Sequence, residues 1–138
     1  MSVTQYRSHI HRIFEEAFNQ GKLAVLDEVI APDHLVHNAF GGAPNGPQTL
    51  KWLIAMYRTG FPDLHCTVEE EIREDDKFAF IWTMCGTHKG LFLGNSPSGR
   101  QMQTQGIIFA RFEKEKILGY RMLIDQFDLL QQLGIIPR

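Results

Sequence analysis

Cysteine is scarce in this chain: Cys66 and Cys85 are the only two, too few for a disulfide framework and without the spacing of a zinc site. Each lies in an apolar, strand-like run, where a thiol packs as a small hydrophobe, and a single bridge between neighbouring strands stays open. Long apolar runs are also missing. No stretch approaches the roughly 20 residues that span a bilayer, and the segment Met1 to Arg7 has no apolar signal-peptide core. A cytoplasmic protein that does not engage a membrane is the expectation. Basic clusters are absent too. The 14 Lys and Arg are scattered among 16 Asp and Glu, for a formal net charge of −2, which gives no electrostatic case for binding nucleic acid or an anionic surface. The densest charge, Glu69 to Glu71 and Arg73 to Lys77, reads as a solvated strand end and turn. Gly94 to Gly99 has turn residues but no phosphate-loop pattern, so it is expected to be a hairpin loop, placed to form a flap.

What is present fits one compact domain over residues 1–138, with 43% hydrophobic residues to build a core. Ile10, Ile13, Phe14, Ala17 and Phe18 recur at helical spacing, predicting an amphipathic helix over residues 4–19 that Asn19-Gln20-Gly21 stops. A second short helix carries Leu23, Leu26, Val29 and Ile30 and ends at Pro32; a short strand over Asp33 to Asn38 follows. After a loop rich in Gly and Pro, Pro47 starts a third helix through Trp52, Leu53, Met56 and Tyr57. Beyond Phe61 the period changes to two. Leu64, Cys66, Val68 and Ile72 share one strand face; Phe78, Phe80, Trp82, Met84 and His88 share one face of the next. Further strands are expected near residues 100–112 and 116–124, joined at Glu113-Lys114-Glu115, before a short helix after Asp125. Helices followed by sequentially adjacent strands predict an α+β fold in which helices pack on a bent antiparallel sheet.

Several side chains are candidates for chemistry. Asp125 stands between an apolar strand and a helix-like segment. A carboxylate there caps the helix, or, if the strand lines a pocket, burial adapts it for proton transfer. His88 ends the aromatic strand, and its ring could exchange a proton near neutral pH. His37 is favoured over Asn38 to face a pocket, since extended chain sends neighbours to opposite faces. His34 and His37 have no third ligand nearby, so a metal site is not expected. Trp52, Met56, Tyr57, Phe80, Trp82, Met84 and Phe109 could line a pocket for a flat apolar or aromatic ligand, with Arg121 as a further ligand-binding candidate, or the apolar ones could simply be core. Apolar residues on both sheet faces also suit a homodimer.

The order of several short motifs resembles the SnoaL-like polyketide cyclase family, within the nuclear transport factor 2-like fold group. They are Asn19-Gln20-Gly21, Pro32-Asp33 with His37-Asn38, Phe61-Pro62-Asp63-Leu64, Gly86-Thr87-His88-Lys89-Gly90, Leu93-Gly94 with Pro97-Ser98-Gly99-Arg100, Arg111-Phe112, and Asp125 with Leu129-Leu130-Gln131-Gln132-Leu133-Gly134. The resemblance implies a cone-shaped α+β barrel, usually dimeric, around an apolar pocket. It also implies that Asp125 acts as acid and base in the aldol closure of a polyketide ester, without a cofactor; on the residues' own chemistry His88 or His37 is expected to assist. Aldol closure moves a proton off carbon and another onto oxygen, work that one well-placed carboxyl group can do. The chain departs from the family at Gly119 and Arg121, where glutamate and tryptophan are usual, and at Lys114-Glu115 in place of an Asp-Gly turn. Arg121 shares strand parity with Asp125, so the two are expected on one face, where a guanidinium would stabilise the carboxylate. A non-catalytic ligand-binding or dimerisation module, and an isomerase or epoxide hydrolase on the same scaffold, are the alternatives.

Overall fold

The computed structural model describes residues 3–36, 46–113 and 115–137; His37, loop residues 41–45 and Lys114 lie outside them. Ile10, Ile13, Phe14, Ala17 and Phe18 are all buried, as their helical spacing requires. They lie on α1 (Val3–Arg12) and on a π-helical segment (Ile13–Phe18) that continues it, a widening that apolar spacing does not disclose. Helix α2 (Val25–Val29) gives way directly to β1 (Ile30–Val36). Pro32 therefore lies inside a strand rather than ending a helix, and the strand starts at Ile30 rather than Asp33. The sheet order β1-β5-β4-β3-β2 explains the tolerance, because β1 is an edge strand and can dispense with an N–H.

Helix α3 (Gln48–Gly60) begins immediately after Pro47. It leads to β2 (His65–Glu74), β3 (Lys77–Thr87), β4 (Gln101–Glu113) and β5 (Lys116–Ile124), and α4 (Gln126–Gln132) follows. The architecture is α+β, with an open five-stranded sheet. The sheet is mixed rather than purely antiparallel. β1 runs parallel to β5, with Leu35 opposite Gly119 and Val36 opposite Tyr120; α3 and the meander of β2, β3 and β4 supply the crossover that a parallel pair needs.

Phe78, Phe80, Trp82 and Met84 on β3, and Met102, Thr104, Ile108, Ala110 and Phe112 on β4, face the helices and are buried. Phe14 packs on Trp82 with ring centroids 5.3 Å apart. Gly106 lies opposite Trp82 across the β3–β4 pair, and an added Cβ there would come within 2.7 Å of the indole Cε2, so a side chain would displace the ring.

Ile72 does not share the buried face expected of it; it is 71% exposed. A bulge between Val68 and Glu70 shifts the register, so that Glu71 pairs with Phe80 and Ile72 with Ala79. One extra residue exchanges the two faces of a strand. Glu71 thereby turns toward α1, where its Oε1 is 2.9 Å from His11 Nε2 and 3.2 Å from Arg7 Nε.

The cysteines also divide. Cys66 is buried and Cys85 exposed, both free, so only Cys66 packs as a core residue. Burial, with a smaller contribution from Cys85, pushes the Cys66 thiol up to about 12. Native protein treated with iodoacetamide at pH 8 should take up one label, on Cys85, and a second only when unfolded. Two equally fast labels in the native state would contradict the packing of β2.

Asp63, in the turn after α3, accepts hydrogen bonds from Thr87 N (2.7 Å) and Thr87 Oγ1 (2.9 Å). These hold its carboxyl below the ordinary value of 3.8. A depressed folded-state value stabilises the protein fully above pH 3.8, and that contribution is lost as the pH falls below it. Asp63→Asn should therefore flatten the acid limb of a stability profile measured by urea unfolding and leave its shape above pH 6 unchanged. An unaltered acid limb would remove Asp63 from the account.

Candidate functional site

Asp125 follows the last residue of β5 and is the N-cap of α4: its Oδ1 accepts from Asp128 N at 3.1 Å. Its backbone is fixed on three sides. Asp125 N donates to Gln105 O (3.0 Å), and its carbonyl accepts from Thr104 Oγ1 (3.1 Å) and Leu129 N (3.2 Å). The carboxylate is exposed and borders an open depression of about 280 Å³ with Gln103, Thr104, Gln105 and Asp128. The burial that a tuned pocket carboxylate calls for is absent in this arrangement. Gln132 ties α4 to β4, since its Nε2 donates to Gln103 O and its Oε1 accepts from Gln103 N, each at 2.9 Å.

His88 is the opposite case, 1% exposed. Its ring lies 5.7 Å from that of Phe61 and 6.4 Å from that of Phe92. Ser98 N donates to Nδ1 at 3.2 Å, and Ser98 Oγ is 2.9 Å from the same atom. Arg100 N donates to Ser98 Oγ at 3.2 Å, which leaves the hydroxyl proton free for Nδ1. Nδ1 is thus an acceptor, and in the neutral ring the proton resides on Nε2. That N–H is buried and has no acceptor among the described residues.

The segment between β3 and β4 builds this environment. His88 N donates to Arg100 O and Gly99 N to His88 O, both at 2.9 Å, closing the base of the excursion. Lys89 N and Gly90 N both donate to Gly60 O at 3.1 Å, fastening it to the end of α3. Gly90 lies so close to Thr59 O that a Cβ would overlap it. Phe92, 1% exposed, packs against Tyr57 and Phe61 with ring centroids 5.3 and 5.1 Å away. Tyr57 is held by Gln126, whose Nε2 donates to its hydroxyl. Burial raises the Tyr57 phenol above its usual range, with the Gln126 hydrogen bond opposing, so the ring carries its proton. Phe92, Ser98 and Gln126 were not among the residues that sequence reasoning selected. A signal existed for Phe92, the apolar triplet Leu91-Phe92-Leu93 inside a glycine-rich segment, and Ser98 lies in the Pro97-Ser98-Gly99-Arg100 motif; nothing local marked Gln126.

A family model for SnoaL-like polyketide cyclases matches residues 8–133. The chain belongs to the SnoaL-like polyketide cyclase family. Nogalonic acid methyl ester cyclase of Streptomyces nogalater is 28% identical over 120 residues, covering 86% of this chain and 90% of its own length. Among solved structures, TsrD from Streptomyces laurentii superposes with a TM-score of 0.89 at 22% identity, covering 99% of each chain. IdmH from Streptomyces antibioticus gives 0.79 at 28% identity, with 93% of this chain and 97% of that one covered.

On this SnoaL-like fold the residues expected to line a pocket divide into three groups. Tyr57, Phe80, Trp82 and Met84 are buried between sheet and helices, and Met56 packs at the margin of that core. Trp52 is on α3 but 52% exposed. Phe109 and Arg121 face each other across β4 and β5 on the outer face of the sheet, so they line nothing enclosed by the helices. Arg121 is on the same side as Asp125, as parity indicated, and forms no ion pair with it among the described residues. His37 lies outside the described residues. Among those described, no group of three side chains could hold a metal ion, and no helix is long and apolar enough to cross a membrane.

Proposed function

We propose that this chain is a cofactor-independent enzyme that closes a ring in a small, mostly apolar carbonyl compound by proton transfer. The observation that carries the reading is the buried His88 Nε2–H with no acceptor among the described residues, in a chain of the cyclase family. A buried donor without a partner costs about 1–3 kcal/mol. A substrate carbonyl oxygen would satisfy it, and a neutral imidazole donor stabilises the oxyanion that forms there without giving up its proton. Asp125 would take the proton from the carbon next to a carbonyl; the resulting enolate attacks the second carbonyl carbon, and Asp125 returns the proton to the new alkoxide. Bonds and protons balance without a co-reactant. For this the Asp125 side chain must leave Asp128 N and turn inward. Aromatic walls would hold the flexible substrate folded, which supplies much of the rate in such closures.

The test is turnover of aromatic polyketide methyl esters, followed as a mass-neutral change in absorbance. His88→Phe, which keeps a ring but removes the N–H, should lower kcat by about 10²–10³-fold with KM little changed; unchanged kcat would sink the role of His88. A second reading, a ligand-binding module without turnover, is favoured by the exposure of Asp125 and its cap bond. A second copy of the chain is proposed to cover the outer sheet face, where Ile107, Phe109 and Leu123 are 51%, 42% and 69% exposed. Light scattering that gave a monomer at micromolar concentration would exclude it.

A further inference from the structure

The strand-to-helix junction that turns Asp125 outward turns the next residue, Gln126, inward. Gln126 Nε2 donates to the Tyr57 hydroxyl, while its Oε1 is buried without a donor among the described residues. The contrast with Gln132 on the same helix is instructive. Gln132 uses its oxygen on Gln103 N and its amide N–H groups on Gln103 O and Asp128 Oδ2, so nothing is left over. A buried amide oxygen with no donor destabilises a fold, and a leucine would fill the same space without that cost. Gln126 is also held in place rather than adventitious. Tyr57 is fully buried, its ring 6.5 Å from Phe61 and 5.3 Å from Phe92, so the hydroxyl that anchors the amide cannot drift.

Resting on the proposed function, we propose that Gln126 determines specificity by accepting a hydrogen bond from a phenolic or enolic hydroxyl on the substrate, with Tyr57 positioning its amide. The buried interior then offers one acceptor, Gln126 Oε1, and two donors without partners among the described residues, His88 Nε2 and Trp82 Nε1. The matching ligand carries carbonyl oxygens for the donors and at least one hydroxyl for the acceptor. Hydroxylated aromatic ketones meet this description, and fully deoxygenated or fully O-methylated ones do not.

The experiment is calorimetric titration with three probes: a tetralone bearing a phenolic hydroxyl remote from its ketone, the methyl ether of that compound, and unsubstituted tetralone. The wild-type protein should bind the phenol at least about tenfold more tightly than the ether. Gln126→Leu should bring that ratio close to one without weakening the ether, and Gln126→Glu, which keeps an acceptor, should preserve the preference. Tyr57→Phe keeps the ring and releases the amide, so the ratio should fall while the fold is retained. A phenol preference that survives in Gln126→Leu overturns the inference, as does a wild-type preference for the ether, which would give the ligand an amide N–H instead. Equal binding of phenol and ether by the wild type also overturns it and leaves the enzymatic reading standing. Binding of none of the three removes both.

Discussion

Phe92→Ala should lower the stability of the protein by about 3–5 kcal/mol, the usual cost of emptying a buried phenylalanine site. In a domain of this size that is a fall of roughly 10–20 °C in the melting midpoint. Three observations place it in that class. The side chain is 1% exposed, it contacts three aromatic rings, Tyr57, Phe61 and His88, and Gly60 is so close that a Cβ there would lie 2.8 Å from Phe92 Cβ. Collapse into the space is hindered because the loop is tied to Gly60 O by two backbone hydrogen bonds. Differential scanning calorimetry checks the number. A shift below about 2 °C would mean that the 88–100 excursion opens independently of the domain, and limited proteolysis within it would then proceed without global unfolding.

Asp125→Asn should abolish turnover, by at least about 100-fold, and leave the melting midpoint within error of the wild type. The cap geometry makes this substitution discriminating. Asparagine caps a helix about as well as aspartate, so the bond to Asp128 N survives while the group proposed to take up the proton is lost. Asp125→Ala removes both functions and should cost about 1 kcal/mol in addition to turnover. If Asp125→Asn keeps full activity while Asp125→Ala is merely less stable, Asp125 is a cap and nothing more, and the proton transfer belongs to another group; absence of turnover in the wild type as well would favour the binding-module reading. Chemical denaturation and the absorbance assay, run on the same preparations, separate the outcomes.

The fold was largely legible because its signals are local. The helical spacing from Ile10 to Phe18, the period of two through Phe78, Phe80, Trp82 and Met84, and Pro47 ahead of α3 each place an element without reference to the rest. Errors arose where register depends on a neighbour. Ile72 and Glu71 exchange faces through the bulge between Val68 and Glu70, and β1 joins β5 in parallel, neither of which is written in those segments alone. At the site, parity put His88 on the same strand face as Phe80 and Trp82 and aligned Arg121 with Asp125, but not which side of the sheet that pair takes, and it left Tyr57, on a helix, undivided between pocket and core. Gln126 escaped notice for a related reason. A helix of seven residues begins there, and the direction of its first side chain is set by where β5 ends, not by any pattern around the glutamine.

The two borders of the sheet bear on how copies of this chain can meet. An unpaired strand edge is a template for another chain, and natural sheets protect such edges with bulges, charge and proline. β2 carries the bulge and the carboxylates of Glu69, Glu70 and Glu74; β1, at the far side, carries Pro32. Neither margin invites a sixth strand, so end-to-end growth into fibrils is disfavoured from both directions. The self-association proposed above would then use the broad surface around Ile107, Phe109 and Leu123, where a two-fold pairing would close on itself and stop at two.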